Sequence, residues 1–265
     1  MQRSSVFSTL VRRPLSGRWG AVWLVVLLVG LAGIVAYGPG LKRRALWAAI
    51  NACEVAERWT GSAWPCLFVS QTPGGRDIVV LNAPLEPGHV LVVPSERIDG
   101  IESPELAGRS GSDYLAAAWR LREQATAHIA GKPGWADFGL AINGPWNRTQ
   151  KQLHIHVECL TREAAQAFAA LRGIPAGPWV ALEGYRRTFA RRWASDDLSG
   201  LDFRRDLYDA VPLPPDIDAG RINLGAAGIV GPSGQNEFVL LYTTGRTLER
   251  FLDPDCGLVR ARAAG

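Results

Sequence analysis

The chain has 265 residues, 47% of them hydrophobic, with a formal net charge of +4 and a pI near 9.1. That suffices for one substantial core, and frequent Gly and Pro without a period exclude collagen-like and low-complexity chains. The mildly basic balance suits an anionic phospholipid surface or a phosphorylated substrate, and no nucleic-acid-binding signature accompanies it.

In chain order the first element is the uncharged run Trp19 to Leu41, long enough as a helix to cross a hydrocarbon core of ~30 Å. Arg3, Arg12, Arg13 and Arg18 precede it, and Lys42, Arg43 and Arg44 follow, so charge orients it only weakly. A cleaved signal peptide is the competing reading, but the run is long for one and no small-residue cleavage pattern follows. The expectation is therefore a basic cytoplasmic segment over 1–18, a membrane anchor over 19–41 and the remaining chain in the periplasm of an inner-membrane protein. Cys53, Cys66, Cys159 and Cys256 are even in number, which fits two disulfides in an oxidising compartment. Closeness in sequence favours Cys53–Cys66 with Cys159–Cys256 among the three pairings. Four buried thiols are the alternative, and no C-x-x-C points to zinc.

Past the run the pattern is α+β. Apolar spacing predicts a helix over Arg44 to Trp59. "RDIVVLNAP" and "GHVLVVPSE" read as adjacent antiparallel strands. Ser103 before Pro104 is a helix-start signal, and Ser112 to Gly134 reads as an amphipathic helix capped by Ser112 or Asp113 and closed by Gly131. "FGLAINGPW" and "QLHIHVECL" form another strand pair around a loop with Gly144, Pro145 and Asn147. Thr161 caps a further helix that stops at Gly173. The remainder is rich in Arg and Pro and ends in the strand-like "EFVLLYTTG". Its clusters Arg186 to Trp193 and Asp202 to Tyr208 interleave Arg with aromatics, as solvated faces or as contacts to anionic headgroups. His128, late in a helix, reads as a surface residue.

The chemistry concentrates in "RTQKQLHIHVECL", which holds two of the four histidines. On a strand Gln152, His154, His156 and Glu158 share one face, and Leu153, Ile155 and Val157 fill the other. Two imidazoles on a rigid element suit nucleophilic attack on phosphorus. They equally suit a metal-ligand pair, or they are structural; the spacing alone leaves all three open.

The surrounding residues resemble the histidine triad (HIT) superfamily. Its His-φ-His-φ-His-φ-φ motif reads here Gln152-Leu153-His154-Ile155-His156-Val157, with Gln152 in the first histidine position. "APLEPGHVLVVPSERIDGIESPE" is similar to the strand that carries a histidine, here His89, and "DFGLAINGPWNRTQ" to the loop that supplies Asn and Ser/Thr, here Asn143 and Thr149. The likeness covers about Asp77 to Leu160. With the apolar N-terminal run and long C-terminal extension, the chain is most similar to the bacterial CDP-diacylglycerol pyrophosphatases within that superfamily. This resemblance implies a HIT-like antiparallel sheet with flanking helices over 42–162, completed by an α+β extension over 163–265 on the lipid side of the site. It implies hydrolysis of CDP-diacylglycerol to CMP and phosphatidate, with His154 as nucleophile and no metal or cofactor. His156, His89, Gln152, Asn143 and Thr149 would contact phosphate oxygens, with Arg148 and Lys151 adding positive charge. A second register, with His156 central and Glu158 third, puts a carboxylate beside the phosphate and is electrostatically poorer. A metal-dependent phosphoesterase and a nucleotide- or lipid-binding protein without turnover are the competing classes. The resemblance allows a monomer or a homodimer.

Overall fold

The computed structural model describes residues 44–82, 89–127 and 131–264. The expected basic segment and anchor over 1–41 and His128 lie outside the described residues. Among the described residues no helix is long and apolar enough to cross a membrane. The described residues all belong to one compact unit.

Helix α1 spans 44–60 of the described chain. Leu46, Ile50 and Cys53 recur at helical spacing and are all buried. The helix ends at Gly61, whose φ of 70° places it in the left-handed region that glycine tolerates. β1 (Phe68–Gln71), β2 (Asp77–Asn82) and β3 (Val90–Pro94) follow as an antiparallel meander. β4 (Phe138–Ile142) and β5 (Ile155–Leu160) form the next antiparallel pair. β5 also pairs with β3, through Leu91 opposite His156 and Val92 opposite Ile155.

The last third of the chain continues the same sheet. It contributes β6 (Val180–Ala181), β7 (Thr188–Trp193), β8 (Asn223–Val230), β9 (Asn236–Thr243) and β10 (Leu252–Asp253). The strand order is β1-β2-β3-β5-β4-β8-β9-β7-β6, with β10 beside the far half of β5. The outer edge of β4 is thus covered by β8 of the same chain, which removes an unpaired edge next to the histidine strand.

One face of the sheet is closed by α2 (Arg109–Ala125) and by the segment around Phe203 and Leu207. α2 differs from expectation at both ends. It starts after Gly108, so Ser112 is buried one turn inside it. It ends at Ala125, well before Gly131, where Thr126 leaves helical geometry (φ −103°, ψ 13°) with its hydroxyl bonded back to the Arg122 carbonyl. The Pro104–Leu106 turn begins at Ser103 as expected, but the Ser103 hydroxyl accepts from the Gly100 amide and caps no helix.

The other face is covered in two separate patches. α1 packs on Val79, Leu81, Leu91 and Val93 at the β2–β3 end. α3 (Arg162–Ala170), capped by the Thr161 hydroxyl, packs with Phe168, Leu248 and Phe251 on β4, β8 and β9. Each fully buried Leu, Ile or Phe contributes about 1.5–3 kcal/mol, so both patches hold firmly, and the gap between them is left to polar residues. Disulfide Cys53–Cys66 fixes α1 to the segment before β1, and Cys159–Cys256 ties β5 to the start of α4 (Gly257–Ala264).

Candidate active site

The gap holds the histidine strand. Strand alternation turns Ile155, Val157 and Cys159 toward α2 and sends His156 and Glu158 to the opposite face. His156 pairs across β5 with Leu91 of the α1 patch and Ala141 of the α3 patch, so it sits on the seam between them. A cleft of about 540 Å³ opens over this seam. Ala45, Leu46 and Ala49 of α1, with Leu81 and Leu91, form its apolar wall. Asn143, Asn147, Thr149, His154, His156 and Glu249 supply most of its polar wall.

Gln152 and His154 lie just before β5, in irregular backbone. His154 Nδ1 is 2.7 Å from the Gln152 carbonyl oxygen. A carbonyl only accepts, so Nδ1 carries the proton and Nε2 the lone pair. Burial, with the charge of His156 adding to it, lowers the His154 pKa to about 4. The imidazole is therefore neutral at physiological pH, and its ring centroid lies 5.3 Å from that of His156.

Behind His156 lies a chain of titratable groups. Its Nδ1 is 3.7 Å from Glu158 Oε1, and its Nε2 is 3.5 Å from Glu249 Oε1. His89 Nδ1 approaches Glu158 Oε1 to 2.9 Å from the other side. Burial raises the Glu158 pKa to about 7, against the opposing pull of His89. The Asn143 amide donates to Glu249. His89, His156 and Glu158 place ligand atoms within 4.8 Å of one another, a set with the chemistry to hold a divalent metal. This is not the His154–His156 pair that spacing suggests: the ligand atoms that lie together among the described residues are those of His89, His156 and Glu158.

The loop from Asn143 to Thr149 is fixed by Asn223, whose Oδ1 accepts from the Gly144 amide and from Asn147 Nδ2 at 3.0 Å each. A Cβ on Gly144 would collide with the Ile222 carbonyl oxygen, so only glycine allows this approach.

Three sequence expectations change. Gln152 has no exposure, and its amide donates to the carbonyls of Pro94 and Glu96 at 2.9 and 2.8 Å. It braces the loop after β3 and does not line the cleft. Arg148 is paired with both carboxylate oxygens of Glu102 at 2.6 Å, with its side chain 7% exposed. Lys151 lies 3.8 Å from Asp99. Neither cation lines the cleft, because each has a nearer carboxylate to neutralise it. Glu249, Asn147 and the α1 wall were not expected. Glu249 stands in "TLERF", which carries no local motif, and only the return of the chain through β10 brings it to His156.

A family model described as CDP-diacylglycerol pyrophosphatase matches residues 41–260. The chain belongs to the CDP-diacylglycerol pyrophosphatase family. It is 30% identical over 235 residues to a Mycobacterium bovis (strain BCG / Pasteur 1173P2) protein of that name, covering 84% of this chain and 86% of the relative. A Yersinia pestis protein of the same name is 31% identical over 173 residues, covering 65% of this chain and 66% of its own. The family is one of hydrolases, and its match spans the apolar wall, the histidine strand and Glu249 alike.

Proposed function

We propose that this chain hydrolyses CDP-diacylglycerol to CMP and phosphatidate through a covalent cytidylyl-histidine intermediate. The observation that carries the reading is the His154 Nδ1 bond to the Gln152 carbonyl, which leaves a neutral ring with its lone pair on Nε2. His154 Nε2 attacks the phosphorus bonded to cytidine, a P–N bond forms, and the P–O bond to the bridging oxygen breaks. Phosphatidate leaves as a phosphate monoester, a stable anion that needs little acid assistance. Water then attacks the same phosphorus, the P–N bond breaks, and CMP departs. The His156–Glu249 pair takes the proton of that water. Asn143 and Thr149 donate to the phosphoryl oxygens, where one such donor contributes roughly 3–4 kcal/mol. The apolar wall receives the glycerolipid part of the substrate. A histidine-triad ancestry with Gln152 in the first position fits this division of roles.

A bilayer-borne substrate suits an anchor at 19–41, and two disulfides suit a periplasmic catalytic unit at the inner membrane. The β4 edge closed by β8 supports a monomer.

The test uses the full chain and CDP-diacylglycerol labelled in the cytidylyl phosphate, in EDTA. Wild type should release labelled CMP and, on acid-free quenching, carry acid-labile label that His154→Ala lacks. Full turnover by His154→Ala would overturn the assignment. One observation favours a second reading, in which a metal on His89, His156 and Glu158 activates water. That reading predicts loss of activity in EDTA and recovery on adding zinc.

A further inference from the structure

A second cleft of about 650 Å³ adjoins the catalytic one and shares Asn147 with it. Arg186, Arg187, Arg221, Arg246 and Arg250 line it, and no carboxylate does. The arginines come from four separate segments: the turn before β7, the turn before β8, the loop after β9 and the Leu248–Phe251 turn. Tertiary folding, not a local basic run, gathers this charge.

Among the described residues none of the five forms an ion pair, whereas Arg148, Arg192, Arg204 and Arg262 each have a carboxylate partner. Two of the guanidiniums are already held in place. Arg221 stacks 4.1 Å from the Trp146 ring centroid. Arg250 lies over Tyr185 and Phe251, donates to Thr188, and keeps a buried Nε with no hydrogen-bond partner among the described residues. Burial holds Arg250 below its usual pKa, and Arg246 adds to that. The turn carrying Arg187 is fixed in the left-handed region, with φ 57°, by bonds from Thr243 and Thr244 to its carbonyl. Like charges gathered at this cost, with their side chains partly preorganised, are matched by a bound anion rich in planar acceptor oxygens.

We propose that this cleft is a second phosphate-binding site, for a phosphomonoester or diphosphate group, separate from the catalytic cleft. Soluble phosphates and a lipid phosphomonoester headgroup both carry that chemistry. The site does not depend on the reaction at His154.

The experiment takes the full chain in neutral detergent and titrates it with inorganic pyrophosphate by calorimetry. A second arm measures retention on mixed micelles containing phosphatidate, against micelles containing phosphatidylcholine alone. Wild type is compared with Arg221→Gln/Arg246→Gln and with Arg246→Gln alone, an exposed position that keeps the test open should the double variant fold poorly. Loss of one guanidinium should weaken binding roughly tenfold and loss of two roughly a hundredfold, with unchanged melting temperature. Arginine-dependent pyrophosphate binding assigns a soluble ligand; arginine-dependent retention on phosphatidate micelles alone assigns a lipid. Equal binding by all variants, or none in either arm, overturns the proposal.

Discussion

Gln152→Ala separates two roles for the residue that departs from the triad pattern. The side chain is fully buried, and its amide makes two bonds to main-chain carbonyls. Losing two such bonds costs about 1 kcal/mol each, and the cavity left by the missing atoms adds about 1–2 kcal/mol. Oε1 is buried with no hydrogen-bond partner among the described residues, so its removal returns about 1 kcal/mol. The net is about 2–3 kcal/mol, or roughly 4–12 °C of melting temperature for a chain of this size. The carbonyl that orients His154 also belongs to Gln152, so a looser loop misaims the ring. We expect kcat to fall roughly tenfold with KM nearly unchanged. Thermal melts followed by tryptophan fluorescence, with steady-state CMP release, read both quantities. Gln152→His should recover only part of the loss, since neutral imidazole offers one N–H donor where the amide offers two. A Gln152→Ala protein that melts with wild type while KM rises would refute the bracing role and restore a substrate contact.

The opposed shifts of His154 and Glu158 make a pH prediction. His154 falls from 6.5 to about 4 on folding, so its stability contribution is present above pH 6.5 and lost as pH drops through 4, by about 3 kcal/mol. Glu158 rises from 4.5 to about 7, so its contribution is present below pH 4.5 and lost as pH climbs through 7. The two offset each other in wild type. Glu158→Gln should lose about 3 kcal/mol more than wild type between pH 7 and 4 in urea unfolding, and parallel profiles would contradict this. Gly144→Ala forces a Cβ against the Ile222 carbonyl and should cost about 2–4 kcal/mol, with CMP release falling as Asn143 and Thr149 shift. A wild-type rate in that variant would mean that the loop relaxes freely. Cys159→Ser/Cys256→Ser opens a loop of 97 residues, worth about 4.7 kcal/mol by chain entropy. It should melt lower than Cys53→Ser/Cys66→Ser, whose loop of 13 residues is worth about 3 kcal/mol; the reverse order would count against the entropic account.

The sequence by itself determined the local elements whose signals are local. The apolar stripe of α1, the Thr161 cap of α3, the β2–β3 and β4–β5 pairs and the alternation that separates His156 from Ile155 all follow from side-chain period and capping chemistry. It did not reveal β8, because "NLGAAGIV" is rich in Gly and Ala, which have low strand propensity. Packing overrides that propensity: a Cβ on Gly225 would strike the Leu140 carbonyl oxygen, and one on Gly228 that of Trp135. Within the site the sequence placed His154, His156, Asn143 and Thr149, which the structure brings to one cleft. Tertiary structure alone decided which polar neighbours count. Arg148 and Lys151 are near His154 in sequence but are drawn to Glu102 and Asp99. Glu249 and the cleft arginines are distant in sequence yet lie at the site or beside it. Charge partners are chosen by distance in space, and in an antiparallel sheet whose last third pairs with its middle strands, β8 on β4 and β10 on β5, that distance is set by strand order.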